Sequence, residues 1–279
     1  MRRIRKAAAL LLAVLMLLSL SACGSFGTRA ARAAAKMSAL ESLHMDLDVQ
    51  LGLKLSLLGR DMDIGMSMTG GTDMQRSPMR MLSDMTVEVV GVKRKMLNFM
   101  ERREDGYMVS VSTDGGATWS ERLTSPEEAP GQMNLKGCIS LFADCADSFE
   151  KVGVERVMGS EADRYDGEIP GEELGRAMEL CGLRDMLSAN MGVELAEEAL
   201  ENLGDVPASV WIDKDSGMVT RFDLDLGEAA HSMVSGVLDQ LLQNAGIGGI
   251  GLKPELESMT VKVLLSRFDK LGEVTRPGA

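Results

Sequence analysis

The chain has 279 residues, with 30 Lys+Arg against 42 Asp+Glu and a formal net charge of −12. An excess of acid repels phosphate backbones, which excludes nucleic acid as an expected partner. The 45% hydrophobic fraction suffices for a real core in one large domain or two small ones, and it is unusual in kind: aromatics make up 4% while 22 residues are methionine.

Arg2, Arg3, Arg5 and Lys6 form a positive head, followed from Ala7 to Leu20 by an apolar stretch whose one polar residue is Ser19. This is the two-part pattern of a secretory signal. A helix of about 14 residues rises only about 21 Å, short of the roughly 20 residues a bilayer span requires, so a permanent transmembrane segment is disfavoured. Leu20-Ser21-Ala22-Cys23 resembles the lipobox of bacterial lipoproteins at all four positions. That resemblance implies cleavage between Ala22 and Cys23, a diacylglyceryl group on the Cys23 thiol and acylation of the new amine. These covalent groups are the expected prosthetic chemistry, with no other cofactor. The expected location is the extracytoplasmic face of the cell membrane, reached through the lipid anchor. Gly24 follows the cysteine, so the aspartate of the inner-membrane retention signal is missing. Loss of residues 1–22 removes four bases and no acid, leaving 26 against 42, or −16, on 257 residues.

Cys138, Cys145 and Cys181 make an odd number of thiols in an exported chain. Seven residues along a helix from 135 separate the first two by about 10.5 Å, too far for a disulfide across an unbroken helix. Either could pair with Cys181, or all three are small buried apolar residues.

Residues 28–42 are rich in alanine and contain neither Gly nor Pro, which predicts a helix. From Leu43 the period changes to two. Leu43, Met45, Leu47, Val49, Leu51, Leu53, Leu55 and Leu57 alternate with mostly polar residues, as in a long antiparallel strand with one dry face. Gly59-Arg60 turns the chain into a second strand carrying Met62, Ile64, Met66 and Met68. Gly70-Gly71-Thr72-Asp73 and Ser77-Pro78 mark the next connection. A third strand carries Met79, Met81, Met85, Val87 and Val89, and further strands are predicted over 92–103, 107–113 and 118–123. After Pro126–Gly131 a helix is predicted over 135–146, strands over 149–158 and 162–169, and helices over 171–188 and 193–203. A strand pair over 206–214 and 218–226 surrounds Asp215-Ser216-Gly217. A helix over 228–244, a glycine-rich loop from Gly246 to Gly251 and a strand carrying Met259, Val261, Val263 and Leu265 complete the chain. A meander followed by mixed strands and helices predicts an α+β fold: one large curled antiparallel sheet with helices covering its apolar face.

This order resembles the LolA/LolB-like lipoprotein-carrier architecture, including the LppX and LprG type of Gram-positive lipoproteins. The matching features are the Ala-rich helix before the first strand, the meander from Leu43 and the segment Gly159-Ser-Glu-Ala-Asp-Arg-Tyr165. To these are added the strand Val210–Val219 and the closing stretch from Arg267 to Pro277. The resemblance implies a signal peptide over 1–22, a lipidated Cys23 with a short tether over 23–27, and a single domain over 28–279. It implies an unclosed half-barrel whose concave face is covered by helices, a Gram-positive host and a non-enzymatic role in binding a lipid or other hydrophobic ligand. The alternative is a structural or interaction lipoprotein of the envelope with a filled core and no small ligand; any protein partner is left unidentified. The candidate ligand-binding residues are Met62, Met66, Met68, Met79, Met81 and Met85, because flexible thioethers suit a cavity taking variable apolar ligands. A methionine-rich ordinary core is the competing explanation.

Other motifs point to structure. Ser112-Thr-Asp114-Gly-Gly116-Ala-Thr-Trp119 fits the Asp-box turn, but a propeller needs many copies and this chain carries one. The two histidines, His44 and His231, are far apart without zinc spacing and are expected to be solvated. Asp213 and Asp215 lack the remainder of a calcium loop, so a plain turn is expected. Walker, dinucleotide and nucleophile-elbow patterns are missing, and neither a metal nor a catalytic residue is expected.

Overall fold

The computed structural model describes residues 25–57, 60–125, 135–180, 204–227, 229, 231 and 253–278. Chain order begins with α1 (Phe26–Ser38), β1 (Ser42–Leu57), β2 (Arg60–Gln75), β3 (Arg80–Val89), β4 (Val92–Arg103), β5 (Gly106–Ser112) and β6 (Ser120–Thr124). It continues with α2 (Leu135–Asp144), β7 (Glu150–Val157), β8 (Ser160–Ile169), α3 (Gly171–Leu180), β9 (Val206–Asp213), β10 (Val219–Asp225) and β11 (Lys253–Ser266). The predicted helices over 193–203 and 228–244, the second half of that over 171–188, and the glycine loop at 246–251 lie outside the described residues.

All eleven strands form one antiparallel, unclosed sheet in the order β6-β5-β4-β3-β2-β1-β11-β10-β9-β8-β7. Two meanders thus flank β1 and β11, with β6 and β7 at the edges. Alternation does what the sequence predicts. Leu43, Met45 and Leu47 on β1 pair with Met74, Thr72 and Gly70 on β2, and with Val263 and Leu265 on β11, so one face stays apolar across the centre.

That face is covered by α1 and α2. Ala30, Ala33, Ala34 and Met37 recur at helical spacing on one stripe of α1 and are buried with Ile139 and Phe142 of α2 against Val210, Phe222 and Leu265. Small alanines let the helix approach the sheet closely. Phe26 supplies the bulk at its start, stacking on Phe149 at 4.7 Å and leaning on Tyr165 at 4.8 Å, pairs worth about 0.5–1.5 kcal/mol each beyond burial. The helix begins two residues before the predicted Thr28 because Ser25 caps it and Phe26 is already buried. It stops at Ser38, since Leu40 and Leu43 already belong to the core on the strand side.

One boundary is corrected. Gly70 and Gly71 lie inside β2, and the connection falls at 76–79, where a turn precedes β3. The glycines are there for space. A Cβ on Gly70 would collide with the backbone carbonyl of Asp84, and one on Gly71 would meet the His44 ring at 2.9 Å.

Candidate ligand face and the polar pocket behind it

Register places the methionines. Met62, Met66 and Met68 of β2 pair with Leu55, Leu51 and Val49, Met81 pairs with Met74 and Met100, and Gly70 pairs with Met85, which pairs with Met96. All these side chains therefore lie on the apolar face, since partners directly opposite share a side. Met85 and Met100 are buried and Met66, Met68, Met81 and Met96 are half-buried, while Met62 is exposed. Met79 sits apart, in the turn before β3. Across β2, β3 and β4 the rows of Met74, Thr72 and Gly70 carry no charge, whereas Arg94 joins Met68 and Val87 in the next row outward. Between two apolar rows runs a polar one, Thr72, Ser83 and Asn98, with Thr72 Oγ1 donating to Ser83 Oγ at 3.0 Å. The helix-covered core reaches Met74 of β2, and the other methionines extend the apolar surface past it.

The opposite face holds a pocket of about 600 Å³, lined by His44, Asp46, Asp48, Asp73, Asp84 and Lys95 with Thr69 and Thr86. His44 is therefore not a freely solvated side chain. Its Nδ1 lies 2.6 Å from Asp73 and its Nε2 3.1 Å from Asp46, and Gly71 leaves room for the ring. Burial works to lower its pKa, but the hydrogen bonds and charges of Asp73 and Asp46 outweigh it and the net shift is upward from 6.5. A raised folded pKa gives stability that is complete below about 6.5 and is lost as pH rises through the folded value. Urea unfolding at pH 5.5 and 8.5 should show this loss in the native chain and a smaller one in His44→Gln; equal losses would remove His44 as its source. His231, by contrast, is exposed, with Nδ1 3.1 Å from the Leu256 carbonyl. Among the described residues no three His, Cys, Asp or Glu side chains are placed to hold a metal ion.

The Asp-box sequence builds a turn. Asp114 accepts from Thr118 N at 2.9 Å and Thr118 Oγ1 at 2.6 Å, and Ser112 Oγ donates to it at 2.7 Å, which together hold its carboxyl far below the usual range. Gly115 and Gly116 have φ of +76° and +94°. The turn receives the carboxyl end of the chain: the Arg276 guanidinium lies 5.6 Å over the Trp119 ring and pairs with Glu121. Asp213 likewise closes a plain turn, accepting from Ser216 N at 2.6 Å and Ser216 Oγ at 2.7 Å. Cys138 and Cys145 are buried on and just after α2, and burial raises the Cys145 thiol. Cys181 lies outside the described residues.

Two clusters escaped sequence reasoning. Asp163 on β8 is buried and pairs with Arg29 of α1 and with Lys151 of β7 at 2.7 Å. Trp211 is buried on the other face between the guanidinium groups of Arg221 at 4.3 Å and Arg164 at 5.1 Å, donating to Glu155 at 2.9 Å. Each joins residues far apart in sequence, so only strand register and the packing of α1 on the sheet reveal them.

No known protein-family profile and no curated protein matches the chain. Among solved structures it is similar to the Mycobacterium tuberculosis lipoprotein LppX, at 14% identity over 89% of this chain and 96% of that one, with a TM-score of 0.43. It is also similar to LprF from Mycobacterium bovis, at 12% identity over 90% and 95%, with a TM-score of 0.44. A lipoprotein-sorting domain from Vibrio parahaemolyticus follows at 7% identity over 88% and 95%, with a TM-score of 0.21.

Proposed function

We propose that this chain is a non-enzymatic lipoprotein, tethered through Cys23 to the extracytoplasmic face of the cell membrane, that holds an acyl chain or another apolar ligand against its methionine face. In this reading the sheet curls, its concave side is the apolar one, and the helices close over it. The observation that carries the proposal is that Met66, Met68, Met81, Met85 and Met96 share one face, in rows on either side of the polar row of Thr72, Ser83 and Asn98, and extend past the core that α1 and α2 cover. Unbranched thioethers adapt to ligands of varied shape.

The test is organic extraction and mass spectrometry of the mature domain, made with Cys23 replaced, together with uptake of a fluorescent fatty acid. Co-purifying lipid is expected, as is uptake that falls roughly tenfold in the double variant Met68→Gln/Met81→Gln, from lost apolar contact. Protein free of lipid and without uptake would support the second reading, an envelope interaction protein with a packed interior. The burial of Met85 and Met100 is the observation on that side.

A further inference from the structure

We infer that the β3–β4 hairpin tip is a docking wedge for an anionic lipid surface. Val89, Val90 and Val92 are 36%, 67% and 61% exposed, and Met62 on neighbouring β2 is 55% exposed. Val89, Val90 and Val92 stand together at the hairpin tip, with Met62 further along β2 toward the same end of the sheet, unlike the scattered single side chains that any surface carries.

The turn is costly in a second, independent way. Val90 has φ +50° and Gly91 φ +76°, so both central residues of the two-residue hairpin are left-handed. Asn-Gly or Asp-Gly is the sequence such a turn favours. A β-branched valine there is conformationally strained and also exposed to water, and asparagine would relieve both penalties. A valine at this position is accounted for if its side chain spends time in an apolar medium.

The chemistry around the tip selects the medium. Residues 88–95 contain Lys93, Arg94 and Lys95 against Glu88 alone, three bases to one acid in a chain with 30 bases and 42 acids. Lys93 pairs with Glu88 at 3.3 Å, whereas Arg94 and Lys95 are exposed on opposite faces of β4. Asp61 and Asp63 on β2 bring acid to the same end, and Lys54 pairs with Asp61 at 3.5 Å, so the positive character belongs to the β3–β4 hairpin. An apolar tip backed by bases fits a bilayer interface, with valines among the acyl chains and cations at the phosphates. Register adds continuity: Val92 pairs with Val89, Val89 with Met66, and Met66 with Leu51. The tip thus adjoins the methionine face at Met66.

The test uses the mature chain with Cys23→Ser, so that no acyl anchor contributes, sedimented with vesicles of phosphatidylcholine alone or with phosphatidylglycerol. The wedge predicts binding that is stronger on the anionic vesicles and weakens with salt. Val90→Asn should raise the unfolding midpoint yet reduce vesicle affinity roughly tenfold, the loss of one inserted valine. Arg94→Gln/Lys95→Gln should remove the preference for anionic vesicles. Unchanged affinity in a folded Val90→Asn variant, or no binding of the native sequence to either vesicle, overturns the proposal; a tip that serves a protein partner would give the second result. Docking and ligand capture are read separately, because vesicle sedimentation requires no bound ligand.

Discussion

Replacing Asp163 by asparagine is expected to lower the unfolding midpoint of the mature domain by roughly 6–12 °C, from a loss of about 3 kcal/mol in a chain of this size. Asp163 lies on the apolar face of β8 and is the anchor to which α1 is tied, through Arg29, while Lys151 of edge strand β7 reaches it at 2.7 Å. Burial acts to raise its pKa, but the bonds from Lys151 and Arg29 prevail and the carboxyl lies below its ordinary value. Asparagine leaves two cations beside Tyr165 with no counter-charge, which costs more than the pair itself was worth. A depressed folded pKa stabilises above the unfolded value near 3.9 and ceases to do so as pH falls through the folded one. The gap between native and variant should therefore be full at pH 7 and shrink in strong acid. Thermal unfolding across that range checks the sign, and hydrogen exchange over 26–38 should rise selectively in the variant. Unchanged midpoints would mean that the apolar stripe of α1 alone holds it.

Cys23→Ser has the other large expected effect: transfer of the protein from the membrane fraction to the soluble one, with loss of acyl labelling. Two or three chains, at about 0.8 kcal/mol per buried methylene, hold a protein where one chain does not. The fold should survive, because Ser25, two residues later, already caps α1 and Phe26 opens its buried stripe. Fractionation with metabolic palmitate labelling decides the matter. Membrane retention without label would instead make residues 1–22 an uncleaved anchor.

The alternation from Leu43 to Leu57 and the run at 92–103 were legible because a half-buried strand writes its two environments directly into successive residues. The glycine pair at 70–71 was misleading, since the same residue type serves a turn or a close approach and only the neighbouring strand distinguishes them. Five of the six candidate methionines, Met62, Met66, Met68, Met81 and Met85, fall on one face because they share strand parity; Met79 falls outside it because the turn extends to its position. The polar pocket could not be foreseen. His44 and Asp46 are two apart on β1, but Asp73 is brought to them by a β2 that runs through the expected connection. Asp163 was hidden for the same reason at longer range, its helix partner lying 134 residues away.

The position of β11 bears on how the molecule is made. It lies between β1 and β10, pairing His44 with Ser266 and Met45 with Leu265, and the residues after it cross to Trp119 beside β6. For a chain exported from its amino end, as proposed, β1 emerges early and waits, one long edge unpaired, until more than 200 residues have followed. Such distant pairing folds slowly and leaves apolar edges open to association. The last strand to arrive completes the middle of the sheet. A truncation that removes β11 therefore strikes the centre of this molecule, not its margin.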